Sequence, residues 1–193
     1  MGSAPGVSIC CMILLATFLL LFQDPASETG DYTNRISRKL SPGANIRVVA
    51  DSDLRAGTLP GGESYVSTGL FARVQNEAEW AGVIAHQLAH SAAGTDCIRY
   101  VHIGRHDTEQ QNDREHEAAA DKIAIRMLAK AGYQPMAMLD FFSRYRREGK
   151  DLPKACSARD LLMEKLEMED TGHPLTDAVL NTPEFERVHP VVR

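Results

Sequence analysis

Several things are missing from this chain. Of its four cysteines, only Cys97 and Cys156 lie beyond the first eleven residues, and neither has the spacing of a zinc site. There is no long basic run, and the formal net charge is −5, so nothing in the charge pattern points to a nucleic acid partner. No repeat period is present. No charged side chain occurs before Asp24. What remains is ordinary: 193 residues, 44% hydrophobic and 24% charged, enough for one domain with a real core.

The long apolar run is confined to the N-terminus. Val7 to Phe22 reads VSICCMILLATFLLLF, with only Ser8 and Thr17 mildly polar. A membrane-spanning helix needs about 20 apolar residues, so this run suits the apolar region of a signal peptide better than a full span. Neither Lys nor Arg precedes it, and no A-x-A triplet precedes the polar stretch from Asp24. The expectation is an exported chain: residues 1–26 form a cleaved signal peptide or a retained membrane anchor working through residues 7–22, and residues 27–193 form the domain. The destination is periplasmic, extracellular or membrane-anchored. Cys10 and Cys11 lie inside the run rather than after it, which argues against a lipoprotein signal. In an oxidising compartment Cys97 and Cys156 could pair; two separate buried thiols is the alternative.

Along the domain, helical spacing over Tyr32–Leu40 ends at Ser41-Pro42-Gly43. Ile46–Ala50 and Tyr65–Thr68 read as strands, with turns marked by Gly57 and Pro60-Gly61-Gly62, so a short β-hairpin or meander is expected. Asn76 followed by Glu79 is a capping box for a helix carrying Trp80, Val83, Ile84 and Leu88 and stopping near Gly94. A second long helix runs from about Thr108 to Ala131, with Gly132 as its stop. Pro135 opens a third, bearing Phe141, Phe142 and Tyr145, and Ser157–Leu166 suggests a fourth. A short helix is expected at Pro183–Val188. The fold class is α+β, mostly α.

The chemistry concentrates at His86-Gln87-Leu88-Ala89-His90. Two histidines four apart on a helix project from one face, one turn apart, and can reach the same zinc ion. A third ligand is needed, and the second helix offers Glu117; Asp121, one turn further on, can accept a hydrogen bond from the free ring nitrogen of His86. Alanines 118–120 between them let the two helices approach closely. His102 and His106 also stand four apart, but Gly104 weakens a helix there and no carboxylate partner is evident. The Phe141, Phe142 and Tyr145 cluster reads as core, with Arg144, Arg146 and Arg147 at a solvated helix end.

These residues give the chain a resemblance to the zinc metallopeptidases of the HtpX, BepA and CAAX-prenyl-endopeptidase kind, the gluzincins of peptidase family forty-eight. It covers most of residues 45–145: Leu59-Pro60-Gly61-Gly62 with Val66 and Thr68-Gly69-Leu70, the run Asn76 to His86, and Glu117 to Asp121 followed by Leu128, Ala129, Ala131-Gly132-Tyr133 and Pro135. The resemblance implies a small gluzincin-like domain in which a zinc-binding helix pair packs a short β element. It implies one zinc per chain held by His86, His90 and Glu117, and a polypeptide substrate or client. His173-Pro174 matches the family's later His-Pro element, where His173 could steady an oxyanion; a surface loop histidine is the plainer reading.

One letter departs from the pattern at the centre. In H-E-x-x-H the glutamate is the general base, and here that position is Gln87. An amide can hold water but cannot take its proton. The resemblance therefore implies a zinc metalloendopeptidase with strongly impaired activity. The alternative is an inactive zinc-binding pseudopeptidase that grips polypeptide as a binding or chaperone-like module.

Overall fold

The computed structural model describes residues 25–59, 62–92, 112–147 and 178–189. The apolar run at 7–22, Gly94, Cys97, Cys156, the suggested helix at 157–166 and His173 lie outside them. Among the described residues the chain is mostly helical around one three-stranded sheet, and no helix is long and apolar enough to cross a membrane.

Helix α1 spans Pro25–Leu40, longer at its start than the spacing over 32–40 predicts. Its inward face is Thr29, Tyr32, Thr33, Ile36, Ser37 and Leu40, all buried. Half of that stripe is polar, and it is served by one local and one distant bond: Ser37 Oγ donates to the Thr33 carbonyl at 2.9 Å, and Trp80 Nε1 donates to Thr33 Oγ1 at 3.2 Å.

Three short strands come next: β1 (Ile46–Val49), β2 (Ala56–Thr58) and β3 (Ser64–Ser67), in the order β1-β3-β2. The two sequence-predicted strands are thus not each other's hairpin partners. β1 runs parallel to β3, with Ile46 opposite Ser64. The hairpin is formed instead by β2 and β3, antiparallel, with Ala56 opposite Val66. Gly57 is a strand residue rather than a turn, and Thr68 opens the short helix α2 (Thr68–Phe71), capped by the Ser67 side chain.

Helix α3 (Glu77–Ala92) is the centre of the molecule. Every residue from Glu77 to His90 is buried, which is the signature of a helix packed on all sides. It lies against α1, β2, β3, α4 (Asn112–Lys130) and α5 (Met136–Arg147). One half of the expected capping box forms, Glu79 N–H donating to Asn76 Oδ1 at 2.9 Å, while the Glu79 carboxylate reaches one residue further back and takes the Gln75 N–H at 2.7 Å. The same carboxylate holds the Arg144 guanidinium in a two-pronged pair at 2.8 and 2.7 Å, tying α5 to the start of α3.

Gly82 lets the two helices touch. A Cβ there would stand 2.7 Å from Met138 Cβ. Gly82→Ala is expected to push α5 away and to cost about 1–3 kcal/mol, read as a lower urea midpoint; a midpoint equal to that of the parent chain would contradict this packing. Helix α4 ends in a Schellman turn, with Gly132 at φ 77°, Gly132 N–H on the Ala129 carbonyl and Tyr133 N–H on the Leu128 carbonyl.

The last described segment returns to α3. Val179 bridges Tyr133, the Leu180 carbonyl accepts the Ala78 N–H, and Asn181 Oδ1 accepts the Glu77 N–H. Two of the orphan donors at the start of α3 are satisfied by this segment. The short helix expected at Pro183–Val188 is present as α6, capped by Thr182. Phe185 packs with Tyr32, Phe71 and His189.

Candidate metal centre

Helices α3 and α4 bring His86, His90 and Glu117 together below the surface. His86 and His90 are one turn apart on α3, and their Nε2 atoms lie 3.1 Å from each other. Glu117 reaches in from α4, with Oε2 at 3.2 Å from His86 Nε2 and Oε1 at 3.6 Å from His90 Nε2. Donors at about 2.0–2.1 Å from a tetrahedral ion are separated by about 3.3–3.4 Å. The three contacts, made by the two imidazole Nε2 atoms and the two Glu117 oxygens, straddle that value, so the group could hold a small divalent cation.

Asp121 completes the arrangement from one turn further along α4. Its Oδ1 accepts from His86 Nδ1 at 2.7 Å. That bond places the ring proton on Nδ1 and turns the Nε2 lone pair toward His90 and Glu117, as a carboxylate behind a ligand imidazole does. Burial opposes a charged imidazole at His86, but the Asp121 charge and hydrogen bond, then those of Glu117, overcome it and push His86 up to about 10. Burial likewise opposes ionisation of Glu117, and the hydrogen bonds from His86 and His90 outweigh it, holding the carboxyl well below the usual range. An ion here would meet an anionic glutamate and displace a proton from His86. Asp121→Asn is expected to weaken metal affinity by about 10–100-fold; a chelator-competition titration giving the parent affinity would contradict that role.

Phe142 of α5 closes one side, its ring 5.8 Å from the His86 ring at 68°. The opposite flank is polar. Gln87 is buried, and its carbonyl accepts from Thr58 Oγ1 at 3.0 Å and Ser64 Oγ at 3.3 Å. The side-chain Oε1 of Gln87 also lies 3.5 Å from Thr58 Oγ1. The residue at the family's base position therefore sits between α3 and β2, and β2 is an edge strand. Strand β3 is central, with Ser64, Tyr65 and Val66 paired on both sides. Arg55, just before β2, is engaged with Asp51 and Asp53 on the surface.

Sequence reasoning missed Glu77. This buried carboxylate receives the hydroxyls of Tyr32 at 2.9 Å, Tyr133 at 2.7 Å, and Thr182. Burial first, and the Glu77 charge next for Tyr32, raise both phenols above their ordinary range; at Tyr133 the hydrogen bond to Glu77 ranks after burial. The hub locks α1, the α4–α5 turn and the 178–189 segment onto the first turn of the histidine helix. Nothing local in the sequence announces it.

Two histidines four apart on one helix, met from a second helix by a glutamate and, one turn on, an aspartate, are the residues that carry the resemblance to the metallopeptidases. Residues 33–106 match the model of Peptidase family M48. Over 168 residues, 64% of this chain, the sequence is 26% identical to the "Putative beta-barrel assembly-enhancing protease" of Vibrio cholerae serotype O1. The chain spans 35% of that relative's length. The resemblance to this metal-dependent peptidase family read from the motifs is thus found again in both comparisons. His173, His102 and His106 lie outside the described residues.

Proposed function

We propose that this chain is an exported, zinc-binding relative of the family M48 peptidases that engages extended polypeptide, with hydrolysis held close to the floor by Gln87. The observation that carries the reading is the buried triangle of His86, His90 and Glu117, backed by Asp121, with an amide where a carboxylate base would stand. Zinc held by those three residues would supply a Lewis acid able to polarise a carbonyl and to acidify water.

The remaining roles fall to the chain's own groups. Asp121 orients His86, and Glu117 keeps its negative charge. Among the described residues β2 pairs with β3 alone, and its other edge would offer main-chain N–H and C=O groups to a peptide laid beside it, in the manner of strand addition. Gln87, at the inner end of that edge, can donate or accept a hydrogen bond but cannot carry a proton from water to a leaving amine. A positioned acid–base group is worth about 10²–10⁴-fold in rate, and that factor is what the chain forgoes. The proteolytic role belongs to the family name and to the relative's printed description. The pseudopeptidase reading, a module that grips without cutting, is favoured by Gln87 itself.

The apolar run at 7–22 supports export as a signal peptide or anchor. Thr29 is the first buried side chain among the described residues. Elemental analysis of chain purified without chelator tests the central claim. About one zinc per chain is expected; zinc far below that level, unaffected by His90→Ala, overturns it.

A further inference from the structure

We propose that the outer face of α4 is a docking surface for an anionic lipid bilayer, made by Lys122, Arg126 and Lys130 and extended by Lys39 of α1. The helix sorts its charges by side. From Glu117 onward its acids, Glu117 and Asp121, are buried at the metal centre, and its bases, Lys122, Arg126 and Lys130, are all exposed. Spacings of four residues put the three bases in one row, about 12 Å long at the helical rise of about 1.5 Å per residue. Ile123 and Met127, half-buried, flank the row. At its end Lys39 Nζ stands 3.9 Å from the centre of the Tyr133 ring, just beyond Lys130 in sequence.

Other cations on the surface are already neutralised. Arg35, Arg47 and Arg187 are each held by a glutamate, whereas among the described residues Arg126 and Lys130 have no carboxylate within ion-pair reach. The chain carries a net charge of −5, so this row gives an otherwise acidic molecule a face that an anionic plane attracts. A row on the convex side of a helix meets a flat surface with all its members at once. Long Lys and Arg side chains can lay their stems along it while their heads reach lipid phosphates. The choice of a bilayer over an acidic protein comes from the chain itself. The apolar run at 7–22, read above as signal peptide or anchor, brings the chain to a membrane. The inference rests on that part of the proposed function and is independent of the metal.

The test is sedimentation of the full chain with vesicles of phosphatidylcholine alone and of phosphatidylcholine mixed with phosphatidylglycerol. The parent chain is expected to bind the anionic vesicles at least about tenfold more tightly at low ionic strength, and to lose the preference in high salt. Lys122→Gln, Arg126→Gln and Lys130→Gln together should weaken binding to anionic vesicles by about 10–100-fold and leave binding to neutral ones unchanged. Arg126→Gln alone should weaken it by about fivefold. Arg47→Gln, Arg73→Gln and Arg187→Gln together change the net charge equally at exposed positions on other elements, and should keep the preference. No preference for anionic lipid in the parent, or an equal loss in the two triple variants, overturns the proposal. Soluble poly-glutamate bound as tightly as anionic vesicles, with the same loss in the α4 variant, assigns the face to an acidic polypeptide and also overturns it. An anionic preference without any binding to neutral vesicles upholds the α4 face and counts against the membrane role of residues 7–22 alone.

Discussion

Gln87→Glu is expected to raise kcat for cleavage of an unfolded polypeptide by roughly 10²–10⁴-fold over the parent chain. The surrounding site is otherwise equipped. His86, His90 and Glu117 form a triangle of donor atoms of the right dimensions, and Asp121 fixes the tautomer of His86. The new carboxylate would occupy the volume of the amide, and the Thr58 hydroxyl near Oε1 could donate to it. The substitution also carries a cost. In the metal-free chain it adds a third buried carboxylate to Glu117 and Asp121, so the variant without zinc should unfold at lower denaturant than the parent. Gain of cleavage with zinc and loss of stability without it are the paired signature. No gain with zinc bound would place the defect on the substrate side as well and favour the pseudopeptidase. Rapid zinc-dependent cleavage by the parent would mean that another base serves.

The metal helix was legible because its signals are local. Asn76 caps the first turn through the Glu79 N–H, and the histidine spacing is a property of any helix. Pro183 after Thr182 marks α6 in the same way. The sheet was not legible, because pairing is non-local. Ala56-Gly57-Thr58 is three residues with a glycine at the centre, which reads as a turn. It becomes a strand through its register with Ser64–Val66 and through the hydroxyls of Thr58 and Ser64 on the Gln87 carbonyl. Helix α1 was read too short because its buried face is half threonine and serine, and the bond that makes the Thr33 hydroxyl tolerable inside comes from Trp80, far along the chain.

Glu77 shows the same limit at the level of one residue. An acid in the first turn of a helix ordinarily faces water and complements the helix dipole. Here Tyr32, Tyr133 and Thr182 surround it, from positions 45, 56 and 105 residues away in sequence. These donors place the N-terminus of α3, and with it the histidines about two and a half and three and a half turns along.

Saturating zinc is expected to stabilise the parent chain strongly, and His90→Ala to abolish the effect. Ligand held at a thousand times its Kd adds about 4 kcal/mol to a folded state that binds it when the unfolded state does not. For a domain of this size that is roughly 8–16 °C in Tm. The site supports so large a linkage because all three ligating groups are buried and preplaced by the α3–α4 packing, whereas the unfolded chain has His90 and Glu117 separated by residues 91–116. Without a cation the buried cluster depends on a shared proton and on the pull of Asp121 and Glu117 on His86. His90→Ala removes one corner of the triangle while leaving the His86–Asp121 bond, so the metal-free variant should still fold. Thermal melts with and without zinc, on parent and variant, make the comparison. Equal shifts in the two chains would mean that zinc is bound elsewhere, and no shift in either would remove the metal from this site altogether.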